Sequence, residues 1–183
     1  MNSTLRHALV ALALTLPLAS PSFAQVTVGG APMFANKDIV DNAVNSKDHT
    51  TLVAAVKAAG LVDTLKGAGP FTVFAPVNDA FAALPAGTVD TLLKPENKAA
   101  LTKVLTFHVV PGRVDAAALV RMIKAGGGKA TLKTVQGENL MATQIGNTVV
   151  ISDSKGTMAN VTVADVFQSN GVIHVVSRVL LPA

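Results

Sequence analysis

Residues 170–182 read "NGVIHVVSRVLLP", and the reading of this run decides the fold. As a strand it sorts its side chains by alternation. Val172, His174, Val176 and Arg178 share one face; Ile173, Val175, Ser177 and Val179 share the other. Both faces are largely apolar, so the strand is expected to lie centrally or to be covered on both sides. His174 interrupts the run and invites three readings: metal ligand, general base or buried structural group. Ser177 stands three residues on and points to the opposite face, so the two cannot pair as base and nucleophile within the strand. A buried neutral imidazole is tolerated when both ring nitrogens are bonded, and leaving one unpaired costs about 1–3 kcal/mol. The favoured reading of His174 is a hydrogen-bonded core histidine that sets register. His108, in "LTFHVVPGRV" (105–114), is read the same way. His49, just before Thr50, reads as a surface or capping residue.

Upstream of this strand the period is also 2. After Gly126–Gly128 come "TLKTV", "NLMATQI", "TVVIS" and "NVTVAD", separated by "QGE", "GN" and "DSKG". These breaks are of hairpin type. The earlier half has helical spacing. Ile39, Val40, Ala43 and Val44 form one face behind Asn36, a good N-cap. Leu52, Val53, Val56 and Ala59 form another, with Gly60 as the stop. "FTVFA" (71–75) is a short strand ended by Pro76, and Asn78 reads as the N-cap of the helix after it. Ala100, Leu101, Val104 and Leu105 share a helical face, and Phe107–Val110 reads as a strand. Asp115 can cap "AAALVRMI". Helices first and antiparallel strands later argue α+β.

The first 24 residues, "MNSTLRHALVALALTLPLASPSFA", have a short basic start and a 12-residue apolar stretch, Ala8–Ala19. The stretch is too short to span a bilayer, and Ser22 and Ala24 occupy the small-residue positions before a cut after Ala24. Residues 1–24 therefore read as a cleaved signal peptide, 25–33 as a loose N-terminal extension and 34–183 as a single domain, exported to the periplasm or beyond. No later stretch reads as a membrane span. The chain from Gln25 carries 14 Lys+Arg against 11 Asp+Glu, scattered along its length, which suits a solvated surface and not a nucleic-acid site. Cysteine is absent, so neither disulfides nor thiolate chemistry is available. Trp and Tyr are absent too, which leaves only Phe for stacking platforms.

Chemistry that needs a fixed spacing is missing. There is no GxSxG elbow and no HExxH, and the four histidines are widely separated. Asp38, Asp41 and Asp48 lack the alternation of a calcium loop. "GGGKA" falls short of a phosphate loop. No catalytic residue, metal site or cofactor is expected. Asn78–Asp79 reads first as a helix start, and alternatively as an exposed polar tip.

Three stretches in order carry a resemblance. "FTVFAPVNDAFAALP" (71–85) resembles the first motif of fasciclin-like FAS1 domains, "NGVIHVVSRVLLP" their C-terminal motif, and "LTFHVVPGRV" their central Tyr-His segment. The resemblance covers roughly Phe34 to Pro182 and looks like that of small secreted bacterial members. It implies a β-sandwich-like wedge with N-terminal and central helices packed on it, and a non-catalytic adhesion or matrix role. Three positions depart from the pattern: Val77 for a common Thr, Phe107 for the Tyr, and Ser177 for a common Asp. The Tyr-His segment is implicated in integrin-dependent adhesion in some animal members, and Phe107 lacks the hydroxyl, so integrin binding is not transferred. The motif residues Asn78, Asp79, Phe107, His108, His174 and Ser177 are the binding candidates. The expected partner is a cell-surface or matrix protein or glycan, and avidity from a single domain would need weak self-association. The alternative is an exported hydrolase or small-ligand-binding protein with a pocket near His108 and His174.

Overall fold

The computed structural model describes residues 25–183; the segment 1–24 read as a signal peptide lies outside the described residues. In chain order, a hairpin of β1 (Thr27–Val28) and β2 (Ala31–Pro32) leads into α1 (Ile39–Ala43), a 3-10 turn (Lys47–His49), α2 (Thr50–Ala59) and α3 (Val62–Lys66). Then follow β3 (Phe71–Pro76), α4 (Asn78–Ala82), α5 (Thr88–Leu92), a second 3-10 turn (Pro95–Asn97), α6 (Lys98–Phe107), β4 (Val109–Pro111) and α7 (Ala116–Ala125). The chain closes with β5 (Lys129–Lys133), β6 (Asn139–Ile145), β7 (Thr148–Ser152), β8 (Met158–Gln168) and β9 (Gly171–Val176).

All six residues of β9 are buried, as its two apolar faces require. It lies third in a seven-stranded sheet of order β4-β3-β9-β8-β7-β6-β5. β8 pairs its first residues with β7 and its later ones with β9, with register shifts between Val161 and Val166. These irregularities bend the long strand and turn one half of the sheet over the other, as bulges do. Val135 N–H donates to the Val109 carbonyl at 2.8 Å, which brings the two ends of the sheet together into a near-barrel. The α+β class and the wedge agree with the sequence reading. One pairing does not: β3 runs parallel to β9, with Phe74 opposite His174. A parallel pair needs a long crossover, and here it includes α4 to α7 and the hairpins.

Two apolar cores result. Alternation on β3 and β9 divides them. Phe74 and Val176 enter the inner core with Phe107, Leu119, Leu140 and Ile151, beneath α7. Val73, Ala75, Ile173 and Val175 face the outer core, where α1, α2, α3 and α6 contribute Ile39, Leu52, Val56, Leu65 and Leu101. Each fully buried aliphatic or aromatic side chain contributes about 1.5–3 kcal/mol. A Cβ at Gly171 would run into the Phe71 carbonyl, so only glycine allows β9 to start this close to β3.

Several local expectations change. Residues 25–33, expected to be loose, form the β1–β2 hairpin, and Val28 and Met33 are buried in the outer core. Asp38, not Asn36, caps α1, accepting from Asp41 N–H at 2.8 Å. Phe107 ends α6, and β4 begins only at Val109. Asp115 caps α7 as expected, accepting from Ala118 N–H at 2.6 Å.

Candidate functional site

His174 is fully buried on β9 and stacks on Phe74 of β3, with ring centroids 5.7 Å apart. Its Nε2–H donates to the Val114 carbonyl at 2.8 Å, and its Nδ1 accepts from Asp165 N–H at 3.3 Å. Asp165 sits in the bulged part of β8 at φ 57, a left-handed conformation unusual for a residue with a side chain. Its carboxylate accepts from Ala116 N–H at 2.7 Å, at the start of α7. The imidazole thus joins β9, the β8 bulge and the chain entering α7. Burial holds its pKa below the ordinary histidine value, against the smaller opposing effects of the Val114 carbonyl and of Asp165 and Asp115. Both nitrogens are committed, so it has none free to act as base or ligand.

His108 is built on the same plan in another place. It ends the turn after α6, and its Nδ1–H donates to the Val104 carbonyl at 2.9 Å. Its Nε2 accepts from Leu180 N–H at 3.0 Å, which fastens the C-terminal segment. Burial pushes its pKa down to about 4. The two histidines flank β3: Phe74 N–H donates to the His108 carbonyl at 2.9 Å, while Phe74 pairs with His174 on the other side. Their rings engage separate partners and do not converge on a common site.

Phe107 is fully buried in the inner core, its ring edge-on to His108. It presents nothing to a partner. Asn78 does not cap its own helix; Val77 holds that position without a side-chain bond. Instead Asn78 Oδ1 accepts from Thr51 N–H at 3.0 Å and from the Thr50 hydroxyl at 3.2 Å, and its Nδ2 donates to the Lys47 carbonyl at 2.8 Å. It caps α2 from a distance. Asp79 is exposed in the first turn of α4. Ser177 Oγ accepts from Asn160 N–H at 3.0 Å and holds the end of β9 to β8.

Two features escaped the sequence reading. Asn170 carries no long-range signal in the sequence, yet its side chain accepts from Ile39 N–H at 3.1 Å and donates to the carbonyls of Leu65 at 2.7 Å and Gly67 at 3.0 Å. It ties α1 and α3 to the start of β9. An Asn beside a Gly at a strand start is a turn signal, and nothing in it marks a long-range tie. His49, expected at the surface, is 3% exposed. Its Nδ1 lies 2.8 Å from Ser46 Oγ, and its ring has the Ala75 backbone as a further hydrogen-bond neighbour. No group of three or more His, Asp or Glu among the described residues is placed to hold a metal ion.

With this geometry in view, comparison with known proteins settles the class. The family model described as Fasciclin domain matches residues 47–182, and the chain belongs to that family. It is 51% identical over 146 residues to protein sll1483 of Synechocystis sp., covering 79% of this chain and 73% of that one. Immunogenic protein MPB70 of Mycobacterium bovis is 36% identical over 145 residues, covering 76% and 66%. Human periostin is 28% identical over 149 residues, covering 81% of this chain but 16% of its own length. Among solved structures, a FAS1 domain pair from the insect cell adhesion molecule Fasciclin I matches with a TM-score of 0.70 at 17% identity, over 78% of this chain and 50% of that one. At that identity the likeness is one of fold.

Proposed function

We propose that this chain is an exported, non-catalytic binding module that acts in cell-surface or matrix contacts. Membership of the fasciclin family over residues 47–182 carries the reading. A cell adhesion molecule among the structures of like fold supports it. So does the chemistry of the motif residues: His108 and His174 use both ring nitrogens on backbone groups, and neither meets the geometry of a nucleophile–base pair. Residues 1–24 act as the export signal and 34–183 as the domain, with 25–33 an N-terminal extension that packs on its outer core as the β1–β2 hairpin. The partner is a protein or glycan of the cell surface or matrix, and weak self-association supplies avidity. No helix among the described residues is long and apolar enough to cross a membrane.

Deleting the gene is expected to reduce attachment and cell–cell aggregation, and expression of the full chain restores both. Mass spectrometry of the exported protein is expected to find Gln25 at the N-terminus. Attachment and aggregation unchanged under several growth conditions would refute the adhesion role.

A further inference from the structure

The ring of Phe34 is exposed to solvent, yet its main chain is held on both sides. Phe34 N–H donates to Asn42 Oδ1 at 3.0 Å, and Asn42 Nδ2 donates to the Phe34 carbonyl at 2.7 Å. Asn42 is fully buried and also bonds Gln168 of β8. The core thus fixes where this aromatic ring stands. It borders an open cleft of about 380 Å³, which Gly29, Gly30, Lys37, Asn45 and Lys47 also line.

The cleft is pre-formed. Gly29 and Gly30 both take left-handed conformations, φ 59 and φ 75, the pair that a two-residue hairpin turn needs. The Gly29 carbonyl accepts from Lys47 N–H at 3.3 Å, and a Cβ on Gly29 would collide with Ser46 Oγ and the Lys47 and Asp48 amides. The β1–β2 turn is therefore seated on the 3-10 turn. Seven of the eight wall residues precede residue 47, where the family match begins, so the family motifs do not account for this site.

Its chemistry is cationic and aromatic. Lys37 Nζ lies 5.0 Å from the centroid of the Phe34 ring, within cation–π range. Neither Lys37 nor Lys47 has a carboxylate partner among the described residues, whereas Asp38 and Asp41 both pair with Lys66. No carboxylate stands on the cleft wall. Asn45 Nδ2 donates to the Asp41 carbonyl at 2.7 Å, which leaves its Oδ1 as an acceptor. The volume is near the lower end of the roughly 300–1,000 Å³ of ligand pockets. The wall has no arginine to grip a phosphate by two parallel bonds. Nor is there a sheet edge for an extended peptide, since β1 and β2 have two residues each.

We infer that this cleft binds a carboxylate-bearing sugar, a uronate unit of an acidic polysaccharide. The carboxylate meets Lys37 and Lys47, the less polar face of the sugar ring meets Phe34, and a hydroxyl donates to Asn45 Oδ1. This names the glycan of the matrix contact proposed above, and rests on that reading for its setting in the cell.

The test titrates the isotopically labelled protein with trigalacturonate, and with its methyl ester, which keeps the rings and hydroxyls but not the charge. Backbone amides are followed by NMR. Saturable shifts at Gly29, Gly30, Phe34 and Lys37 are expected, with the ester bound about tenfold more weakly. Lys37→Gln combined with Lys47→Gln is expected to weaken binding about tenfold, and Phe34→Ala about fivefold, at unchanged Tm. If Phe34→Ala does not fold, the lysine variant decides, because both lysines are exposed. Hexaglutamate bound as tightly as trigalacturonate, or affinity indifferent to the loss of Phe34, would show charge attraction alone and overturn the sugar site. Shifts that do not saturate, or that fall outside the cleft, would overturn it too, while loss of attachment on gene deletion would still uphold the adhesion reading. Saturable binding at the cleft with attachment unchanged by deletion would uphold the site and refute that reading.

Discussion

The His174 Nε2–H donates to the carbonyl of Val114, 60 positions earlier in the chain, at 2.8 Å. Together with the Asp165 N–H on Nδ1, this bond makes the histidine a three-way tie between β9, the β8 bulge and the approach to α7. Replacing it with Phe keeps the ring against Phe74 but leaves the Val114 carbonyl and the Asp165 N–H buried and unpaired. His174→Phe is therefore expected to lose about 2–4 kcal/mol of stability. In thermal denaturation followed by circular dichroism this is a fall in Tm of about 5–15 °C for a chain of this size. An unchanged Tm would sink the structural role.

Acid should weaken the fold before the carboxylates titrate. Burial lowers the pKa of His108 to about 4 in the folded state, against about 6.5 when unfolded. Above pH 6.5 the ring is neutral in both states and its contribution is complete. As pH falls through 6.5 the unfolded chain takes up a proton that the folded chain refuses, so stability drops by about 1.4 kcal/mol per pH unit down to about pH 4. His108 alone supplies about 3 kcal/mol of this loss. His49 and His174, also shifted downward by burial, act in the same direction. Urea midpoints measured from pH 7.5 to pH 4 are expected to fall, and less steeply in His108→Gln. A flat profile would contradict the assignment.

Asn78 is expected to matter to a helix it does not belong to. Asn78→Ala strips the cap from Thr51 N–H and the donor from the Lys47 carbonyl, a loss of about 1–2 kcal/mol. Asn78→Asp keeps an acceptor for Thr51 and recovers part of it. Amide hydrogen exchange at Thr51 reports the effect directly, since its protection should drop in Asn78→Ala. Unaltered exchange there would show that the bond carries nothing.

The contrast between these residues shows what the sequence made legible. The β5–β9 strands were readable because alternation and hairpin breaks are local signals, and β9 needed only its own thirteen-residue neighbourhood. The burial of His174 followed from the apolar run around it. Its partners did not, because they depend on the parallel pairing of Phe71–Pro76 with Gly171–Val176. That pairing joins strands a hundred positions apart, and no local pattern encodes it. Asn78 looked like the cap of α4 because caps are usually local, yet its partner lies 27 positions away. His49 looked exposed because a polar residue before a helix usually is. The helical layer over the sheet buries it, and neither the 3.6-residue spacing of α2 nor the turn before it reveals that layer.

Ser177 is the departure from the family pattern that the geometry best explains. Its hydroxyl oxygen accepts from Asn160 N–H at 3.0 Å, while its own N–H donates to the Asn160 carbonyl at 3.0 Å. The position needs an acceptor at the end of β9, and a carboxylate can fill that need as a hydroxyl does. The side chain is only half-buried, so an added charge stays partly hydrated. Ser177→Asp is thus expected to shift stability by less than about 0.5 kcal/mol. Ser177→Ala removes the acceptor from Asn160 N–H and should cost about 1 kcal/mol. The two variants together separate acceptor chemistry from side-chain size in urea unfolding. If Ser177→Asp were as damaging as Ser177→Ala, the hydroxyl would be needed as such and not merely as an acceptor. The bond to Asn160 would then no longer explain why serine can stand where the family commonly has aspartate.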